Sequence, residues 1–352
     1  MLSSSSSSSS EEEEIVVRRP KIYPKRKDYV HEYDELDFFD RFRLTKATVI
    51  NLLEKIENLI VLPTNRGGCI DPMKQLLLTL RFYATGNILL SVGDFMGVSK
   101  SSASRIVQRV SQAIASLRPQ YINMYGTNQE MEAACEDFYR IARFPKCIGA
   151  IDCTLIKIDS VGGDDAEIFR CRKGYFAVNV QTVSDADLRI RNIVCRWPGS
   201  THDQTIFNNS NLKQQFENNM YGQYLLIGDS GYTLKPYLMT QLQTVETAAQ
   251  NLYNESLIRT RNVVERQYGV WKRRFPILRL GMRLKLETIR NIIVATAVLH
   301  NLALAMGEEF PDDWLEQEEG DDIHENHVNF DNNNNNGRQV RDLLVHQHFG
   351  RL

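Results

Sequence analysis

The hydrophobic pattern of this chain changes period near Pro145, and that change limits the fold more than any other feature. From Leu44 to about Pro145, apolar residues recur every three or four positions, as in Ala47–Leu59 and Met73–Tyr83, which predicts packed helices. Beyond it, Cys147–Ile158 is apolar and rich in β-branched residues. Tyr175–Ser184 alternates, Arg189–Trp197 follows as a third strand, and Tyr224–Gly228 is a short buried fourth. Helical patterns return at Thr201–Asn208, Lys235–Gln241, Leu252–Arg274 and Leu286–Met306. Three strands, a helix, another strand and further helices is the order of an RNase H-like α/β domain with a mixed sheet, here preceded by an all-α region.

The 352 residues, set against roughly 100 to 200 per domain, favour two folded units. The expected organisation is a Ser/Glu leader and basic segment over 1–28, an all-α region over 29–145, the α/β domain over 146–306, an acidic and Asn-rich flexible segment over 307–339, and a docking helix over 340–352. Residues 1–14 are Ser/Glu low complexity and bury too little apolar surface to offset the entropy of ordering. No apolar stretch follows the first methionine, so secretion is not expected. Ile292–Leu299 falls well short of the ~20 residues that span a bilayer, and Arg290, Asn291 and His300 flank it, so a core helix and no membrane are expected. The six cysteines lack a C-x-x-C pair, which argues against a zinc knuckle or disulfide framework and for reduced thiols.

The formal charge of −2 conceals an uneven distribution. Fourteen acids lie in Glu11–Glu14 and between Glu308 and Glu325, and setting them aside leaves the rest at +12. A basic body with acidic appendages permits a nucleic-acid partner without requiring one. Six of the ten residues from Arg18 to Lys27 are basic, fitting an import signal, a phosphate-gripping arm or a solvated linker.

Ser91–Val107 reads as a short helix, a turn around Gly97–Ser99 and a second helix running from about Lys100 to Leu117, the layout of a helix-turn-helix. Val98, Ala103, Ile106, Val107 and Val110 can pack inward. That leaves Lys100, Ser101, Ser102, Ser104 and Arg105 near the exposed N-terminal end, where small polar and basic side chains suit a groove and its phosphates. An ordinary αα-hairpin with a solvated face fits the same pattern.

Three acids stand out. Asp152 is the one charge in the apolar run Cys147–Thr154, where an ionised carboxylate needs a compensating partner. Asp229 follows the buried Leu225–Gly228 at a strand end, where ligands bind in open α/β sheets. Glu265 lies on a long helix with Arg261 and Gly269 on its own face and Lys272 two turns on. Gly269 leaves room for a backbone to approach, and Arg261, Lys272, Arg273 and Arg274 are candidates to meet DNA phosphates. Two strand carboxylates and one helix carboxylate supply hard oxygen ligands for Mg²⁺ or Mn²⁺. Two such ions about 3.5–4 Å apart activate the attacking oxygen and steady the leaving oxygen in phosphodiester cleavage. Each acid alone also fits a structural role, as a turn cap or surface ion pair. Ser200 and Asp203 are spaced like a weak capping box, so Asp203 is either a cap or a fourth acid at the metals. His202 either contacts a phosphate or lines the turn.

With those residues in view, the chain resembles the Harbinger transposase-derived nucleases, host-domesticated relatives of the PIF/Harbinger DDE transposases. The likeness runs from about Tyr29 to Leu352. It rests on Gly149-Ala-Ile-Asp-Cys-Thr, Trp197-Pro-Gly-Ser-Thr-His-Asp, Gly228-Asp-Ser-Gly-Tyr, Arg261-Asn-Val-Val-Glu-Arg-Gln-Tyr-Gly and Lys272-Arg-Arg-Phe-Pro-Ile-Leu. The resemblance implies an RNase H-like domain whose D-D-E triad falls on Asp152, Asp229 and Glu265. It also implies a nuclear and partly cytoplasmic protein working with a Myb/SANT-like partner. Three readings follow: a metal-dependent DNA nuclease, a catalytically silent DNA-binding scaffold, and an α/β protein unrelated to nucleic acid. Monomer and oligomer are both open.

Overall fold

Small polar residues start many of the N-terminal helices. The computed structural model describes residues 27–62, 69–309, 311 and 335–352; the Ser/Glu leader, Arg18–Arg26 and nearly all of the acidic run lie outside the described residues. After the short α1 (Tyr29–Glu32), Asp34 caps α2 (Glu35–Phe42) and Thr45 caps α3 (Lys46–Ile60). Asp71 caps α4 (Pro72–Thr85), which has Pro72 in its first turn, and Ser99 caps α6 (Lys100–Ala115). Each accepts from a backbone N–H that would otherwise lack a partner at the helix start. Thr127 and Glu130 form a reciprocal capping box on α8 (Asn128–Ala142).

Between α4 and α6 lies α5 (Leu89–Met96), which ends at Gly97 with φ of 66°. A Cβ on Gly93 would meet the Val98 carbonyl oxygen at 2.7 Å, so only glycine lets α5 turn this tightly into α6. The inward face of α6 is Ala103, Ile106, Val107 and Val110, all buried. A single turn, α7 (Arg118–Tyr121), then leads to α8.

The sheet has the order β3-β2-β1-β4-β5. Its central strand β1 (Cys147–Lys157) pairs antiparallel with β2 (Ala177–Ser184), which pairs antiparallel with β3 (Ile190–Pro198). On its other side β1 pairs parallel with β4 (Leu225–Ile227), and β4 parallel with β5 (Leu238–Met239). A side chain at Gly149 would meet Val183 Cγ1 at 2.6 Å and Leu226 Cδ2 at 2.9 Å, so its absence lets β1 sit between its neighbours.

Two short helices, α9 (Asp203–Asn208) and α10 (Asn211–Glu217), connect β3 to β4. The long α11 (Ala248–Arg274) follows β5, then α12 (Ile277–Leu280), α13 (Leu286–Ala305) and α14 (Asn335–Gln347). One continuous buried cluster joins Phe38, Leu52 and Val107 of the helical half to Val180, Trp271 and Ile292. A second holds Ile148, Ile151, Phe207, Leu226 and Tyr232. α13 is apolar and long enough to cross a membrane by length and composition, yet its apolar window is 72% buried against the protein, as a core helix is.

Four expectations need correction. Lys235–Gln241 is not helical: Leu238 and Met239 form the edge strand β5, because their apolar side chains bury against β4. Ser200 and Asp203 make no capping box, since His202 holds the N-cap position of α9 without a side-chain cap bond. The acidic tail does not begin at Glu308. That carboxylate accepts from Thr45 N at 2.9 Å and Thr45 Oγ1 at 3.0 Å, and it pairs with the buried Arg274. Arg274 also donates to the Arg43 carbonyl at 3.1 Å. A guanidinium with no exposed surface cannot grip a DNA strand, so Arg274 is a core residue that ties α11 to the start of α3.

Candidate active site

The parallel register of β1 and β4 builds the site. Ala150 lies opposite Ile227, so Asp152 and Asp229, each two residues further on, leave the same end of neighbouring strands. Asp152 is fully buried, with Oδ1 accepting from Cys153 N at 2.7 Å. Asp229 turns the chain after β4: its Oδ1 accepts from Gly231 N at 3.0 Å. A Cβ on the intervening Gly228 would meet Tyr232 at 2.9 Å and Ile151 at 3.3 Å, so the turn needs glycine to stay against β1.

Asp203 approaches from the first turn of α9. Asn179 of β2 orients it by donating Nδ2 to Asp203 Oδ1 at 3.0 Å and to the Thr201 carbonyl at 2.8 Å. Beside it Gln181 Nε2 donates to Tyr232 Oη at 3.0 Å, and Cys153 Sγ lies 3.4 Å from that same hydroxyl.

Glu265 reaches the site from α11 through Arg261, one turn earlier. Arg261 Nη1 is 3.2 Å from Asp152 Oδ2 and its Nη2 is 2.7 Å from Glu265 Oε1, so one guanidinium bridges a strand acid and the helix acid. Arg261 is therefore an ion-pair partner of the acids here, not the exposed phosphate contact its sequence position suggests.

The aspartates repel one another. Burial pushes the Asp152 carboxyl well above its usual range, Asp229 and Asp203 add to the rise, and Arg261 opposes it. Burial likewise raises Asp203, with Asn179 opposing and Asp229 adding. For Arg261, burial alone would lower the guanidinium, but Asp152, Glu265 and Asp229 outweigh it and hold the charge in place.

Hard carboxylate oxygens, buried at Asp152 and half-buried at Asp203, Asp229 and Glu265, suit a divalent cation, whose charge would relieve what one guanidinium only partly offsets. The acids are near enough to perturb one another, but among the described residues no three His, Cys, Asp or Glu side chains are spaced as a ready cage for one ion. A bound ion would therefore have to draw the carboxylates together and displace or share Arg261.

The other candidates scatter. Lys100, Ser101 and Arg105 are exposed on the first turns of α6, while Ser102 and Ser104 are half-buried, and Ser102 N donates to the Ser99 cap. Lys272 and Arg273 are half-buried on the last turn of α11, and His202 is exposed at the start of α9. Asn179, Gln181, Cys153, Tyr232, Thr182 and Tyr268 escaped the sequence reading. For Asn179, Gln181, Thr182 and Cys153 the signal was that polar residues recur in the buried strands β1 and β2; Tyr232, after β4, and Tyr268, on α11, had no such local mark.

Comparison with known proteins places this geometry. Residues 151–301 match the DDE superfamily endonuclease family. The chain is 31% identical over 285 residues to the "Putative nuclease HARBI1" of Bos taurus, covering 76% of this chain and 81% of the relative. It is 30% identical over 332 residues to that of Mus musculus, covering 88% and 93%. Against the "Protein ALP1-like" of Arabidopsis thaliana it is 23% identical over 309 residues, covering 82% and 75%. The chain belongs to the Harbinger transposase-derived nuclease family, with a DDE superfamily endonuclease domain at its core. No solved structure matches it.

Proposed function

We propose that this protein is a nuclear, divalent-metal-dependent DNA endonuclease whose triad is Asp152, Asp229 and Glu265, with Asp203 as a fourth acid. The reading rests on one observation: the β1/β4 register brings Asp152 and Asp229 to a common strand end while Arg261 ties Glu265 to that same point. The sheet order, three antiparallel strands followed by two parallel ones on the far side of β1, supports an RNase H-like domain. Mg²⁺ or Mn²⁺, as two ions, would supply Lewis-acid activation of the attacking and leaving oxygens.

Asp152 and Asp229, fixed by the Cys153 and Gly231 backbone amides, would hold the ions together with Glu265. Asn179 orients Asp203 toward the same point. Lys272 and Arg273 hold the DNA backbone near the end of α11, and His202 at the start of α9 is placed for a further phosphate. Lys100, Ser101, Ser102, Ser104 and Arg105 present a helix-turn-helix face to a groove. A Myb/SANT-like nuclear partner supplies the remaining DNA recognition and import, with a second pool of the protein in the cytoplasm.

The deciding experiment is plasmid nicking in Mn²⁺. Wild type should nick, and Asp152→Asn should not while keeping its fold by circular dichroism; equal nicking by both removes Asp152 from the chemistry. One observation favours a second reading, a catalytically silent DNA-binding scaffold: Arg261 already pairs with both Asp152 and Glu265, where a cation would otherwise bind. That protein would bind DNA with a steep salt dependence and gain no stability from Mn²⁺.

A further inference from the structure

The site is stitched together from beneath by a buried hydroxyl. Tyr268 lies on α11 within one turn of Glu265, and its Oη donates to the backbone carbonyl of Asp152 at 2.6 Å. Thr182 stands directly across from Asp152 in the β1/β2 pairing, and its Oγ1 lies 3.0 Å from Tyr268 Oη and 2.9 Å from Gln267 Oε1. Thr182, Gln267 and Tyr268 are all buried.

Thr182 has a single proton, and Gln267 Nε2 has no acceptor in this orientation. Turning the amide over gives an unbroken series of donors: Gln267 Nε2 to Thr182 Oγ1, Thr182 to Tyr268 Oη, and Tyr268 to the Asp152 carbonyl. The series then runs in one direction from α11 to β2, back to α11 and on to β1. Val264, Tyr268 and Trp271 would hold α11 on the sheet by packing alone, but packing tolerates small slides along the helix axis. A directional bond to the carbonyl of the very residue whose carboxylate faces Arg261 does not.

Resting on the nuclease reading above, we infer that Tyr268 is a positioning residue, fixing the helix that carries Glu265 in register with Asp152 so that both carboxylates meet the same cation. It touches neither substrate nor ion, and its effect passes through the Asp152 backbone. Its contribution should therefore appear in how tightly the site takes up metal rather than in whether the protein folds.

The test is a Mn²⁺ titration followed by thermal melting, comparing wild type, Tyr268→Phe, Thr182→Val and the double variant. Tyr268→Phe keeps the ring and removes one oxygen, so the variant should still fold, with its metal-free melting point lowered only by the several degrees that one buried hydrogen bond is worth. Its half-saturating Mn²⁺ should rise by about fivefold to tenfold, the effect expected from one buried hydrogen bond. Thr182→Val should shift it in the same direction, and the double variant no further than Tyr268→Phe alone. Should Tyr268→Phe fail to fold, Thr182→Val decides. Unchanged half-saturation in the folded variants, or a lowered melting point without a change in half-saturation, would reduce Tyr268 to a packing residue. Absence of any Mn²⁺ response in wild type is a different result: it removes the nuclease reading itself, and this inference with it.

Discussion

Arg274 and Glu308 form an ion pair inside the core, joining the last turn of α11 to the residues just past α13. Both side chains are withdrawn from solvent, and Glu308 also accepts two hydrogen bonds from Thr45. Removing one member strands the other charge. Glu308→Ala should therefore lower stability by about 3–5 kcal/mol in urea unfolding, and Arg274→Met, which leaves a carboxylate that still accepts from Thr45, by less. A loss under about 1 kcal/mol for Glu308→Ala would show that this pair does not tie the halves together.

His300 predicts how the protein responds to acid. Its imidazole is fully buried, its Nε2 donates to the Leu188 carbonyl at 2.8 Å, and burial lowers its pKa to about 3. The unfolded chain takes up a proton near the usual 6.5 while the folded chain does not, so stability falls as pH drops below 6.5 and goes on falling to about 3. The slope approaches about 1.4 kcal/mol per pH unit. Asp152 and Asp203, raised in the fold, pull the other way over part of that range. The comparison must therefore be with His300→Gln, whose acid limb should be flatter than that of wild type; identical limbs would contradict a neutral buried His300.

The bridge formed by Arg261 makes a third prediction. Arg261→Gln removes the cation that offsets Asp152 and Glu265, so the metal-free protein should melt lower at neutral pH and recover part of the loss at pH 5. Its melting point should then rise more with Mn²⁺ than that of wild type. Calorimetry with and without the ion checks this, and equal Mn²⁺ shifts in the two proteins would mean that Arg261 and the ion do not compete for the acids.

Much of this was legible in the sequence, for a consistent reason. Where a segment has one dominant period, its place followed: β1, β2, β3 and β4, the α5/α6 pair, α11 and α13 all fall within a few residues of their expected bounds. Asp152 and Asp229 were legible because a lone charge in or after an apolar strand needs an explanation. Leu238 and Met239 were misread because a two-residue strand is too short to show alternation. Arg274 sits in a run of three basic residues, and only the fold shows that it points inward. Arg261, Tyr268, Thr182 and Asn179 act across long stretches of chain, and no local pattern marks such partners.

The exposed start of α6 gives the last prediction. Lys100→Ala and Arg105→Ala should each weaken DNA binding across sequences and reduce the slope of log affinity against log salt by about one, while the melting point stays within a degree or two. Fluorescence anisotropy at several salt concentrations measures this. Slopes equal to wild type would remove this face from the DNA contact.

The β1/β4 register described above also sets the order in which the protein can become competent. Asp152 and Asp229 are neighbours only once β4 has docked beside β1, after β2, β3 and the two short helices have folded back, and Glu265 arrives later still with α11. A growing chain that has emerged through the turn after β4 has Asp152, Asp203 and Asp229 but neither Glu265 nor the Arg261 guanidinium that offsets their repulsion. Whatever these side chains do to a phosphate must therefore wait until α11 has been synthesised and has docked on the sheet.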